Sequence, residues 1–69
     1  MKSLEFVALA AQARYVVAGP DVAFVQRGDR QVIHQFGGYD LWTWDGSEII
    51  PVRWDVSFVE AVQYLRGAA

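Results

Sequence analysis

The alternation of hydrophobic and polar positions predicts a β-hairpin at the centre of the chain, in the stretch Tyr39–Val52. At its middle, Asp45-Gly46 favours a two-residue type I′ turn, because glycine adopts positive φ freely and aspartate tolerates it. Counting outward from this turn puts the apolar side chains on two faces, one with Tyr39, Leu41, Ile50 and Val52 and the other with Trp42, Trp44 and Ile49. Both faces are apolar, so we expect something to pack on each side of the hairpin.

A second hairpin is predicted from strands at Val22–Gln26 and Gln31–Phe36, joined at Gly28-Asp29. Glycine at the first central position favours a type II′ turn. The predicted pairs are Val25 with Val32, Phe24 with Ile33, Ala23 with His34, and Arg27 with Arg30. Because the last pair brings two like charges together, a longer loop of four residues remains an open alternative.

A helix is predicted from Ser3 to about Tyr15, with Ser3 as its N-cap and Glu5 near the positive end of its dipole. This helix would be apolar on nearly all of its faces, which is typical of a helix packed on several sides or used in an interface. The segment has some features of an export signal, but Glu5 interrupts its apolar run, so we interpret it as a helix of the folded protein. The β-branched pair Val16-Val17 either extends this helix or begins a strand.

The C-terminal helix has the clearest local signals. Ser57 followed by Glu60 forms a capping box, with Asp55 as the competing N-cap, and Gly67 is the expected residue just after the helix. The buried stripe is predicted to contain Phe58, Ala61, Val62 and Leu65.

These elements predict an α+β fold in the order α-β-β-β-β-α, in which the two hairpins form a four-stranded, mainly antiparallel sheet flanked by the terminal helices. Residues 1–69 are predicted to form this one domain. Pro51 has no backbone N–H, which indicates that the fourth strand ends there or lies at an edge of the sheet.

Composition adds a prediction about association. The 69 residues are 54% hydrophobic and include ten aromatic side chains, but no cysteine and a single histidine. We therefore expect no disulfide, no metal site and no cofactor. A domain this small hides so much apolar surface only with difficulty, so we predict a homo-oligomer, most simply a homodimer. No run approaches the roughly 20 apolar residues of a membrane-spanning helix, and a soluble, cytoplasmic protein is expected.

The polar residues give little support to an enzyme, and we predict no catalytic residue. His34 is the only imidazole, and Asp40 is the one acid of the central hairpin without an obvious structural role; neither has a clear catalytic partner. Arg27-Gly28-Asp29 spells an integrin-binding tripeptide, but turn formation alone explains the glycine and the aspartate.

Aromatic and arginine residues in and around the central hairpin form the candidate partner-binding surface. They are the residue types enriched at protein–protein hot spots. The predicted set is Tyr39, Trp42, Trp44, Trp54, Arg53, Arg27 and Arg30. The function predicted is a small non-enzymatic protein-binding module, of the adaptor or inhibitor type, that associates through this aromatic face with a protein partner and with a second copy of itself.

Two alternatives remain open at this point. Aromatic side chains flanked by arginines, with Arg14 as a further cation, are also typical of proteins that bind single-stranded nucleic acid. The net charge of −2 lacks the basic surplus that such proteins usually carry. A small-molecule-binding domain would need a concave pocket lined by the tryptophans and closed by His34 or Asp40.

Overall fold

A computed structural model describes residues 3–35 and 37–68 of the chain, and it has two helices on one side of an antiparallel sheet. The elements, in chain order, are α1 (Leu4–Ala11), β1 (Arg14–Gly19), β2 (Val22–Arg27), β3 (Arg30–Gln35), β4 (Gly38–Trp44), β5 (Ile49–Val56) and α2 (Phe58–Arg66). Each strand pairs with the next along the chain, so β1 and β5 are the edges of the sheet. The α+β class is confirmed, but the predicted number of strands is wrong, because the sheet has five strands and not four.

The additional strand, β1, comes from a segment that the sequence assigned in part to the first helix. α1 ends at Ala11 because Gln12 adopts a left-handed conformation with φ 54° and ψ 47°. The chain then turns back through an N–H of Ala13 that donates to the carbonyl of Ala8 (2.9 Å). Tyr15 lies on β1, so the prediction that the helix continues to about Tyr15 is wrong. Of the two alternatives for Val16-Val17, the strand is correct, as β-branched side chains favour.

The register of the central hairpin also differs from the prediction. Trp44 pairs with Ile49 and Trp42 with Pro51, whereas a two-residue turn would pair Trp44 with Ser47. The connection is a loop of residues 45–48 in which the Asp45 carboxylate accepts the N–H groups of Ser47 and Glu48, both at 2.8 Å. Aspartate side chains stabilise such turns by bonding to the backbone just ahead of them. This local bonding replaces the predicted type I′ turn.

The Asp45 loop leads to a prediction about pH. Hydrogen bonds from the Glu48 and Ser47 N–H groups lower the pKa of Asp45. A carboxylate whose pKa is lower in the folded than in the unfolded protein stabilises the fold. The stabilisation is fully present above the unfolded pKa of about 4 and is lost as the pH falls through the folded pKa. An NMR titration should therefore give Asp45 a midpoint below the ordinary aspartate value. Asp45→Asn, which cannot ionise, should lose this part of the acid dependence of stability; a midpoint at or above the ordinary value would contradict the loop geometry.

Two local signals in the sequence are confirmed. The β2–β3 hairpin pairs Val25 with Val32 and Arg27 with Arg30, as predicted from Gly28-Asp29. The pairing stops at Val25, so the predicted pairs of Phe24 with Ile33 and of Ala23 with His34 do not form. Gly28 has the positive φ, 58°, that a type II′ turn needs at its first central residue.

The predicted capping of α2 is also confirmed. Ser57 is the N-cap, and its hydroxyl accepts the N–H of Glu60 at 3.1 Å. Asp55, the competing N-cap, lies instead at the end of β5. Gly67 follows the helix as predicted, although with a φ of −78° it does not use the left-handed conformation open to glycine.

Asp40 and Asp55 hold the irregular pairing between β4 and β5 at this end of the sheet. Tyr39 lies opposite Val56 instead of Val52, because the four-residue loop displaces the pairing by two residues and two one-residue shifts in register displace it by two more. At the shift, Asp55 has a φ of 56° and donates its N–H to the carboxylate of Asp40 at 3.0 Å. Asp40 as a residue is only 4% exposed. Gly38 passes so close to Asp55 that a Cβ on it would lie 2.9 Å from the Asp55 Cα. Asp40 therefore has a structural role that the sequence did not indicate.

The core lies between the two helices and one face of the sheet. α1 packs over β1 and β2, α2 packs over β2 to β4, and the two helices contact each other. The buried apolar side chains are Leu4, Val7, Ala8, Ala11, Val25, Val32, Tyr39, Leu41, Val56, Ala61 and Leu65. Neither helix in the described part of the chain has the length and the continuous apolar run needed to span a membrane.

Candidate protein-binding surface

The face of the sheet opposite α1 and α2 is covered by neither helix in residues 3–35 and 37–68. The strand register shows which face each side chain lies on. Val25, Val32 and Leu41 pair across β2, β3 and β4 and lie buried beneath the helices. Side chains one position along each strand point the other way. We call this other side the open face, and its apolar members are Val16, Phe24, Ile33, Trp42, Trp44, Ile49, Pro51 and Trp54.

All three tryptophans of the chain lie on the open face. Trp42 and Trp44 alternate with buried Leu41 along β4, and the ring of Trp54 on β5 meets that of Trp42 edge to face, with 5.1 Å between the ring centroids. The outer members remain in contact with solvent: Trp44 is 44% exposed, Trp54 55% and Ile49 38%. The result is a continuous aromatic surface at the β4–β5 side of the sheet, and we call Trp42, Trp44 and Trp54 the tryptophan cluster.

Trp42 anchors this cluster to the rest of the fold. Its backbone carbonyl accepts the hydroxyl of Tyr64 from α2 at 2.9 Å, so β4 is tied to the helix layer at this point. Its indole N–H is buried and has no acceptor among the residues that the structure describes. The Tyr64 hydroxyl therefore holds the β4 backbone beneath the cluster, and the more exposed Trp54 ring packs against the Trp42 ring.

Tyr39, the fourth aromatic residue of the predicted set, belongs to the core. It is 2% exposed and lies on the helix side of β4, against the ring of Phe58 at 6.3 Å between centroids. Burial also raises the pKa of its hydroxyl. A side chain this deeply buried offers no surface to a partner, so we leave Tyr39 out of the proposed binding surface.

The three predicted arginines lie on the helix side of the sheet and are bound to α2. Arg30 donates to the carbonyl of Tyr64 at 2.7 Å and lies over the ring of the same residue, 4.6 Å from its centroid. Arg27 donates to the carbonyl of Arg66 at 3.3 Å. Arg53 forms an ion pair with Glu60 at 2.6 Å. These arginines contact α2 on the helix side of the sheet, and they do not flank the tryptophan cluster.

His34 and Asp40 lie on opposite faces of the sheet, because His34 pairs with Tyr39 and Asp40 pairs with Ile33. His34 is exposed at the end of β3 and lies against the Tyr39 ring, with 5.1 Å between centroids. Asp40 accepts the N–H of Asp55, as described above, beside an open cleft of about 420 Å³ whose lining includes Trp54, Gln35 and Gly37. No group of three or more acidic, histidine or cysteine side chains suited to a metal ion occurs within the described residues.

A smaller apolar surface lies on the opposite side of the molecule. On the outer side of α1, Phe6 is 56% exposed and Leu9 is 77% exposed. These side chains explain why α1 is apolar nearly all round, but they lack the aromatic density of the open face. This outer side of α1 is the natural comparison for any test of the open face.

Val16, Phe24 and Ile33 were not among the predicted surface residues. They are half-buried and extend the open face from the tryptophan cluster across β3 and β2 to β1. Identifying them required β1 and the order of the strands, and the only signal in the sequence was their alternation with Val17, Val25 and Val32.

In comparisons with known proteins, no protein-family model, no curated protein and no solved structure matches this chain.

Proposed function

We propose that this chain is a small non-enzymatic protein-binding module that associates through its open face, first with a second copy of itself. The observation that carries the proposal is the position of the tryptophan cluster on a sheet face that neither helix covers. Exposed aromatic surface next to a firmly held tryptophan is the arrangement from which hot spots of protein–protein interfaces are built. A homodimer through this face would cover one sheet with another, as in a β-sandwich.

The pattern of charge supports a protein partner over a nucleic acid. Of the four arginines that the nucleic-acid alternative invokes, Arg27, Arg30 and Arg53 are bound to α2 on the other side of the sheet. Arg14 lies on the open face, but on β1, three strand spacings away from Trp42. A stacking surface for single-stranded nucleic acid would need a basic groove along the tryptophans. If the nucleic-acid alternative were correct, single-stranded oligonucleotides would bind with an affinity that falls steeply as salt rises.

The direct test is a charge placed on the open face. Trp54→Arg should weaken the dimer by at least about 2 kcal/mol, or roughly thirtyfold in the dissociation constant, because it removes an aromatic contact and buries an unpaired cation. Sedimentation equilibrium reports the mass, and circular dichroism with thermal unfolding reports whether the fold is intact.

Leu9→Arg is the matched control, because it introduces the same charge at an exposed apolar position on the helix layer. This variant should retain the mass of the wild-type protein. If Leu9→Arg dissociates the dimer and Trp54→Arg does not, the association surface is the outer side of α1 and the proposal fails. A wild-type protein that remains monomeric at high micromolar concentration would also contradict it.

A further inference from the structure

The two edges of the sheet are built differently. β5 has the features by which natural proteins prevent an edge strand from pairing with another chain. Pro51 removes a backbone donor, two register shifts break the regular pairing with β4, and Asp55 turns the chain with a φ of 56°. β5 is therefore a protected edge.

β1 has none of these protections over most of its length. Its first four residues, Arg14 to Val17, pair with β2 in unbroken register, and the only irregularity falls between Val17 and Gly19. Between Arg14 and Gly19 the strand has no proline and no charged side chain. Along this edge Tyr15 is 42% exposed and Val17 65%. A regular, apolar and exposed edge strand is a template for pairing with a further strand.

The distribution of charge along β1 favours a second copy of the same strand, in antiparallel orientation. The strand begins with a cation, Arg14, and an anion, Asp21, follows two residues after its end. Antiparallel pairing brings Arg14 of one copy near the partner's Asp21, whereas parallel pairing would place like charges side by side. Two identical strands paired in this way are related by a two-fold axis, which is the commonest symmetry of protein dimers.

We propose that β1 is a second self-association surface, at which the β1 strands of two copies pair antiparallel and join their sheets into one continuous sheet. The two-fold axis of such a pair is perpendicular to the sheet, so the open faces of both copies lie on the same side. The pairing therefore widens the apolar surface that the proposed function uses. It rests on a different observation from the open face, and either interface can form without the other.

A single introduced cysteine tests the pairing directly, because the natural chain has none. Val17→Cys treated with a short bis-maleimide should form a covalent dimer, since side chains on paired strands lie close together. Gln63→Cys, at an exposed position on α2, is the control and should give at least about tenfold less cross-linked dimer. Equal cross-linking of the two variants would overturn the proposal.

A second pair of variants tests the same edge without a cross-linking reagent. Val17→Lys places a charge on the edge, as protected edge strands do, and should lower the mass in sedimentation equilibrium. Val17→Thr keeps the β-branched shape and the strand propensity, so it should retain the wild-type mass. A Val17→Lys protein with the wild-type mass and a folded circular dichroism spectrum would contradict pairing through β1.

The two proposals fail in different ways in these experiments. If both interfaces form, Trp54→Arg and Val17→Lys each reduce a four-copy assembly to a two-copy one. If only the edge forms, Val17→Cys still cross-links in the Trp54→Arg background and the open-face proposal alone fails. If only the open face forms, Val17→Lys leaves the mass unchanged and the edge proposal alone fails.

Discussion

Replacing Tyr39 with alanine should lower the free energy of unfolding by about 3–5 kcal/mol, the range measured when a large buried aromatic side chain is truncated. Tyr39 is 2% exposed and packs against Phe58 and His34, so its removal leaves a cavity between β4 and α2. Domains are commonly stable by only about 5–15 kcal/mol, so much of the fold's stability would be lost. Chemical denaturation followed by circular dichroism measures the change.

Tyr15→Ala is the control for this prediction, because it makes the same substitution at a tyrosine that is 42% exposed on β1. It should cost much less, about 1 kcal/mol. If the two variants lost equal stability, Tyr39 would not have the core position described above. It would then return to the set of candidate partner-binding residues.

Replacing Gly38 with alanine should destabilise the fold by about 1–3 kcal/mol, as expected when a side chain is forced into a packed site. The added Cβ would lie 2.9 Å from the Asp55 Cα and would collide with the Asp55 carboxylate. Relief would require movement of backbone at the point where Asp55 pairs with Asp40. The unfolding free energy from denaturant titration gives the magnitude.

The neighbouring glycine supplies the comparison, because a Cβ on Gly37 would have no atom within 4 Å. Gly37→Ala should therefore be neutral or stabilising by up to about 1 kcal/mol through a less flexible unfolded chain. A Gly38→Ala protein as stable as Gly37→Ala would show that β4 and β5 do not approach each other as closely at this end as the structure indicates.

Elements with their own local signals could be predicted from the sequence. Gly28 supplies the positive φ of the β2–β3 turn, and the Ser57 hydroxyl caps α2, so both depend on neighbouring residues only. The end of α1 and the central turn could not be predicted in this way. Gln12 adopts a left-handed conformation without being glycine or asparagine, and Asp45 bonds to two backbone groups ahead instead of forming a type I′ turn.

The candidate surface was predictable only where strand alternation was undisturbed. Trp42, Trp44 and Ile49 share a face as predicted, because the error in register was two residues at the hairpin tip and therefore preserved the side of each residue. Farther from the tip, the shifts in register break that relation. The place of Trp54 beside Trp42, and of Tyr39 opposite Val56, depends on those shifts.

The three arginines of the predicted set show a second limit of prediction from sequence. Their side of the sheet follows from strand register, but their partners lie on α2, 39 residues away from Arg27 and 34 from Arg30. Contacts of this separation depend on how the helix packs. Residue type alone therefore grouped Arg27, Arg30 and Arg53 with the tryptophans, although they face the other way.

Tryptophan emission across a dilution series is the most direct test that the open face mediates association. All three tryptophans lie on this face, so their fluorescence reports on it without any label, and pairing through β1 does not cover them. Dimerisation through the open face should give a shift of emission to longer wavelength on dilution, over the same concentrations at which the mass falls. Unchanged emission while the mass falls, or a constant monomer mass of 7.8 kDa at every concentration, would contradict it.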